Sequence, residues 1–385
     1  MKKYFLLCTL FVLALSQNEL TAQINLEKIW QNYDYLPDRV PGFKFMNNGQ
    51  HYTRLKNNNV IKFDLISGER KEAILKANDI EADNFNGKIS RYTFSEDEKY
   101  IMIESQRESI YRRSSKAFFF VYNRTTGVTT TVRPGNKVMY ASLSPNGKDV
   151  AYVFENNIYI QSLEDNSTKQ LTHDGKLNEI INGSADWVYE EEFSMSQAFS
   201  WSPDGMYLAY QKFDESEVPE FTMTNYRNEL YPEYVTYKYP KVGEKNAIVS
   251  VHIYQLKNDK TLDVTFGPEE DFYIPRIKWP KSSERLFVYH MNRHQNHLKV
   301  FSVDTRSGKK TPIIDEKNKY YIDITDDIRF LEDGKSFIWS SEKSGYNHLY
   351  LMDMQGRELN ALTEGEYDVT QFYGIDEKNG HIYYQ

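Results

Sequence analysis

A chain of 385 residues with 40% hydrophobic and 26% charged side chains is long enough for a large core, and too long for one ordinary compact domain unless it repeats. Its formal charge of −8, which becomes −9 once a leader holding two lysines and one glutamate is set aside, argues against nucleic acid as a partner and suits cationic peptides. The single cysteine, Cys8, lies in that leader, so the mature chain has neither a disulfide framework nor a thiol nucleophile or ligand.

Residues 1–22 read as a secretory signal peptide. Lys2 and Lys3 precede an apolar stretch from Tyr4 to Leu15, too short for a membrane span, and Ala22 offers the small residue for cleavage. Export to the periplasm or the medium is therefore expected. Residues 23–42 form a helical segment, with Leu26, Ile29 and Trp30 spaced for one apolar face over Ile24 to Tyr35 and with Pro37 and Pro41 ending it.

From residue 43 to 385 the chain reads as strands and turns, and the turns recur. Seven openings share one phrase: Phe43-Lys-Phe-Met-Asn-Asn-Gly, Tyr92-Thr-Phe-Ser-Glu-Asp-Glu, Ala141-Ser-Leu-Ser-Pro-Asn-Gly, Phe199-Ser-Trp-Ser-Pro-Asp-Gly, Arg276-Ile-Lys-Trp-Pro, Arg329-Phe-Leu-Glu-Asp-Gly and Phe372-Tyr-Gly-Ile-Asp. Each is a strand, a tight turn and an alternating strand, and 30 Tyr with 22 Phe favour strands throughout. Most openings stand about 45 to 60 residues apart, the period of a four-stranded β-propeller blade. The expected fold class is all-β, a β-propeller with a short N-terminal helix; a sandwich would not keep returning the same phrase. The interval after Phe199 is stretched to about 75 residues by a segment rich in Glu, Tyr and Pro, 214–246, read as an inserted hairpin arm. The strand at Gly380 to Gln385 halts in mid-blade, which reads as part of a longer protein.

The chemistry-bearing stretch is Asp186-Trp187-Val188-Tyr189-Glu190-Glu191-Glu192-Phe193. Three adjacent carboxylates repel unless water or a cation screens them. In a helical turn they fan out, and neighbours can converge on one small cation such as a primary ammonium, with its three donors. No serine nucleophile is visible: Gly334-Lys335-Ser336-Phe337-Ile338 lacks the second glycine of an elbow and lies in a blade turn. The spacing of His290, His294 and His297 falls across a hairpin and fits a polar-tipped turn as well as a zinc site, so no metal is assigned.

The Asp186–Phe193 motif resembles the double-glutamate motif of the dipeptidyl peptidase IV family of serine exopeptidases. The likeness extends to Ile181-Asn182-Gly183, to Trp201-Ser-Pro-Asp-Gly205 with Leu208-Ala-Tyr210, to Glu217-Val-Pro219 and to Tyr237-Lys-Tyr-Pro-Lys-Val-Gly243. It runs from about residue 24 to the end. The resemblance implies eight blades in the full protein, then an α/β-hydrolase domain that carries the Ser-Asp-His triad and is absent from this chain, so no catalytic residue is assigned. It implies a serine dipeptidyl peptidase that removes N-terminal dipeptides, Xaa-Pro or Xaa-Ala, without metal or cofactor. It further implies that the arm takes part in a homodimer and that the partners are peptides with a free N-terminus.

By the same resemblance Glu191 and Glu192 bind the peptide's α-ammonium, and Arg112, preceded by Tyr111, holds a peptide carbonyl. An arginine suits that role because it donates two parallel hydrogen bonds. Read from residues alone, Arg107, Arg112 and Arg113 are solvated hairpin charges. Glu190, ahead of the pair, is expected to tolerate glutamine. The competing readings are a non-catalytic secreted propeller that binds peptides or glycans, and a tripeptide-releasing relative, against which the retained Glu-Glu pair argues.

Overall fold

The computed structural model describes residues 24–37, 42–267 and 271–385, which divide into two units, one ending at Lys44 and the other starting at Phe45. The leader 1–22 and Pro41 lie outside the described residues. In the first unit the expected helix is reduced to one wide turn, Glu27–Gln31, closed by the Asn32 N–H on the Glu27 carbonyl at 2.9 Å. Leu26 and Trp30 of the anticipated apolar face are 74% and 70% exposed. A helix that short gains too little without burying its face to propagate further.

The second unit is a β-propeller. Among the described residues seven antiparallel blade sheets follow one another along the chain, six with at least four strands and a last one of two, Phe372–Asp376 and His381–Tyr384, and one further two-stranded sheet lies outside this series. Strands run in simple up-and-down order, as in Met139–Leu143, Asp149–Phe154, Asn157–Ser162 and Thr168–Gln170 of the third blade.

The core explains why the blades stack. Each apolar cluster draws on two or more neighbouring sheets: Val60, Leu75, Ile101 and Phe120 join the first and second, while Val121, Val132, Val150 and Tyr152 join the second and third. Ala151, Ile158, Trp201 and Leu208 join the third and fourth, and a larger cluster runs from the fourth through the sixth. No sheet buries its two faces alone, which is the logic of a repeat architecture. Polar latches repeat as well. The Trp201 indole donates to the Ser142 carbonyl one blade back, and Trp279 does the same to Ser200, both at 3.1 Å.

The recurring phrase is a turn device. Ser144 is buried, and its hydroxyl accepts the Asp149 N–H at 2.9 Å while bonding Asn146 at 2.8 Å; Ser202 repeats this with Tyr207 and Asp204. Such side-chain-to-backbone bonds fix the hairpin locally. Ser336 has a structural role, as read for it, but closes its turn from the other side, its hydroxyl and N–H both donating to the Asp333 carboxylate at 2.9 and 3.1 Å.

The fourth blade departs from the pattern. Its inner strand is broken into Ile180–Asn182 and Phe199–Trp201, both paired with Tyr207–Asp214. The excursion between them is pinched shut by the Ala198 N–H on the Gly183 carbonyl at 2.9 Å. Gly183 sits at φ 73°, and a Cβ there would lie 2.7 Å from Ile158. Only glycine fits. The same blade emits the arm, a two-stranded ribbon of Glu220–Asn225 and Glu233–Lys238.

Candidate functional site

The excursion from the fourth blade carries a helix of six residues, Trp187–Glu192. Asp186 caps it, its carboxylate accepting the Tyr189 N–H at 2.9 Å. Val188, Tyr189, Glu190 and Phe193 are buried, so one face of the helix is anchored. Tyr189 reaches the fifth blade, where its hydroxyl oxygen accepts the Ile274 N–H at 2.8 Å. The glutamates therefore fan outward from a fixed base, as a helical turn requires.

Their fates differ. Glu190 is 1% exposed, and its carboxylate accepts the N–H groups of Arg113 and Ser114 at 2.6 and 2.9 Å. Glu191 is partly buried and pairs with the Arg112 guanidinium at 2.8 Å. Glu192 is exposed and has no ion-pair partner among the described residues. Glu190, the member expected to tolerate glutamine, is the most buried of the three.

Arg112 lies at the tip of a hairpin of the second blade between Tyr100–Ser109 and Ser115–Asn123. The Tyr111 N–H donates to the Ser114 hydroxyl, and the Ile110 N–H to the Ser114 carbonyl, making the tip compact. The neighbouring arginines separate. Arg107 pairs with Glu104 at 3.1 Å at the hairpin base, and the Arg113 side chain donates to the Glu190 carbonyl. Of the three, Arg112 faces Glu191. The returning strand of the arm packs on both elements: Tyr237 meets the Tyr111 ring at 5.9 Å, and Tyr239 meets Trp187 at 4.2 Å.

Behind the helix is a cavity of about 220 Å³ whose lining includes Tyr111, Asp186, Trp187, Glu190, Glu215 and Lys238. Burial pushes the Asp186 carboxyl up to about 7. Glu215 is also pushed up to about 7, by burial and then by the charge of Asp186. A carboxyl raised above its unfolded value favours folding fully below about pH 4, and that contribution drains as pH rises to about 7. Asp186→Asn keeps the capping oxygen and cannot ionise. It should match the parent at pH 4 and exceed it at pH 8, by no more than about 4 kcal/mol. Urea denaturation at the two pH values checks this; an equal gap at both would refute the buried charge.

The three histidines do not converge. His290 packs against Phe272 at 4.5 Å, whereas His297 bonds Asp315 at 2.7 Å. Among the described residues no group of three or more His, Cys, Asp or Glu is arranged to hold a metal.

Sequence reasoning singled out Glu191, Glu192 and Arg112, of which Arg112 and Glu191 are paired here, and it did not anticipate the burial of Glu190 and Asp186. The missed signal was the spacing of Asp186, Tyr189, Glu190 and Phe193, which is one buried helix face.

Comparison with known proteins agrees with this architecture. A family described as the dipeptidyl peptidase IV (DPP IV) N-terminal region matches residues 95–385. Dipeptidyl peptidase 4 of Trichophyton tonsurans is 33% identical over 309 residues, covering 76% of this chain and 39% of that protein. Prolyl endopeptidase FAP of Bos taurus is 29% identical over 366 residues, covering 86% of this chain and 47% of that protein. The crystal structure of Porphyromonas gingivalis dipeptidyl peptidase 4 superposes with a TM-score of 0.88 at 35% identity, over 94% of this chain and 52% of that one. The chain spans about half, or somewhat less, of the length of these relatives. A propeller of recurring blades, a motif helix set in the fourth of them and a family match over three quarters of the sequence agree: the chain belongs to the dipeptidyl peptidase IV family and carries its N-terminal region.

Proposed function

We propose that this propeller is the substrate-recognition part of an exported serine dipeptidyl peptidase, with Glu191, Glu192 and Arg112 holding the free N-terminus of a peptide. The observation that carries the reading is the Arg112–Glu191 pair at 2.8 Å beside the unpaired, exposed Glu192. One positive group from the hairpin tip meets one of two adjacent negative groups on the helix. An α-ammonium takes the carboxylates, and the first peptide carbonyl takes the guanidinium. Such a clamp would fix the position of the N-terminus; that cleavage falls after two residues rests on the family likeness.

The peptide-cleaving serine is assigned, as part of the proposal, to the share of the relatives' length that this chain does not match. Acyl transfer there would follow the usual serine, histidine and acid roles. The preference for proline or alanine before the scissile bond rests on the family likeness alone. Export rests on the leader at 1–22; no helix among the described residues is long and apolar enough to cross a membrane.

The decisive experiment compares a Gly-Pro anilide with its N-acetyl derivative as substrates of the full-length enzyme. Acetylation removes the ammonium and should abolish most of kcat/KM; equal rates would overturn the reading. The arm is proposed as a subunit surface of a homodimer, because Tyr226, Leu230, Tyr231 and Tyr234 are exposed on it. Deleting 216–245 from the full-length protein should lower its mass in solution to that of a monomer. An unchanged mass refutes that surface.

A further inference from the structure

Arg112 presents a physical difficulty. Its side chain is 71% exposed, and among the described residues its one polar partner is Glu191. An exposed ion pair of this kind ordinarily contributes little and leaves a long side chain mobile. Recognition of a peptide carbonyl needs the opposite, a guanidinium held before substrate arrives.

The backbone around it supplies the missing order. Residues 113 and 114, directly after Arg112, both donate their N–H groups to the Glu190 carboxylate, at 2.6 and 2.9 Å. The Arg113 side chain adds a third bond, to the Glu190 carbonyl at 3.1 Å. Ser114, 3% exposed, turns back to accept the Tyr111 N–H. The tip is thus held on both sides of Arg112, and Glu190 holds it from the helix that also bears Glu191 and Glu192. Carboxylate bonds to backbone N–H groups are among the stronger hydrogen bonds, more so when shielded from water.

We propose that Glu190 is a positioning residue: it locks the Arg112 hairpin of the second blade to the recognition helix of the fourth, so that the two halves of the N-terminus clamp keep one spacing. This inference rests on the recognition role of Arg112 and deepens it. Glu190 itself touches no substrate. Its loss frees the tip and lets Arg112 swing away, so substrate binding weakens while the chemical step does not change.

The test uses steady-state kinetics of the full-length enzyme on a dipeptide anilide with a free N-terminus. Glu190→Ala should raise KM roughly tenfold, the scale set by releasing one ordered long side chain and its loop, with kcat nearly unchanged. Glu190→Gln, which keeps an oxygen for the two N–H groups, should recover most of the affinity. Glu190→Asp keeps the charge but withdraws it by one methylene, and it should behave like the alanine variant even if that variant folds poorly. The deciding measurement is the pair with Arg112→Met: once Arg112 is gone, Glu190→Asp should change KM by less than about twofold. Full additivity of the two substitutions, or a fall in kcat with KM constant, overturns the proposal and leaves Glu190 a purely structural residue. A normal KM for Arg112→Met alone overturns the recognition role of that arginine, and the proposal falls with it.

Discussion

Tyr189→Ala should lower the stability of the propeller by about 3–5 kcal/mol, the range for removing a large buried aromatic. The ring is 1% exposed and lies within 4.8 Å of Phe213, 5.2 Å of Phe193 and 6.1 Å of Tyr273, measured between centroids. It therefore fills the space between the helix, the fourth blade and the fifth. Part of the loss is polar, because the Ile274 N–H is left without its acceptor. Tyr189→Phe isolates that part and should cost about 1–3 kcal/mol. Urea denaturation of the two variants separates the contributions. A phenylalanine variant as stable as the parent would remove the hydrogen bond from the account, and an alanine variant no worse than phenylalanine would remove the packing.

Glu191→Gln and Glu192→Gln in the full-length enzyme should each reduce kcat/KM on substrates with a free N-terminus by about ten- to a hundredfold. A charge-assisted hydrogen bond to an ammonium contributes about 1.5–3 kcal/mol where water is largely excluded, and that difference appears directly in kcat/KM. The two need not be equal. Glu191 is partly buried and also fixes Arg112, so its replacement should stand near the larger figure. Glu192 is exposed and more readily screened, so its replacement should stand near the smaller and shrink further with added salt. On an N-acetylated substrate, already poor, neither substitution should matter much. If both variants lose the two substrates in equal proportion, the glutamates support the fold rather than the ammonium.

The propeller was legible because its signal is local and repeated. Ser144 and Ser202 build their turns from bonds within five residues, so the phrase survives in the sequence wherever the turn occurs. The arm was legible as an interruption of that rhythm. The N-terminal helix was overestimated because spacing alone does not reveal whether Leu26 and Trp30 find anything to cover them. Glu190 escaped for another reason. Its partners lie 76 and 77 positions away in a different blade, and a run of three like charges suggests solvent rather than a buried clamp. The split inner strand was equally hidden, since Ile180–Asn182 and Phe199–Trp201 read as separate strands until both are seen on one neighbour.

That split has a consequence for how such a protein can change. The ladder is left at Asn182, opposite Lys212, and resumed at Phe199, opposite Tyr210, so the intervening excursion occupies almost no length of the sheet. The blade counts the two halves as one strand and is indifferent to how much chain is looped out between them. Loop-closure cost grows only slowly with length, so residues can be gained or lost there at little expense to the scaffold. Selection can thus redraw the chemistry of the excursion while the blade beneath keeps its pairing. The points where that freedom ends are the ones that tie the excursion back, Gly183, Tyr189 and Glu190.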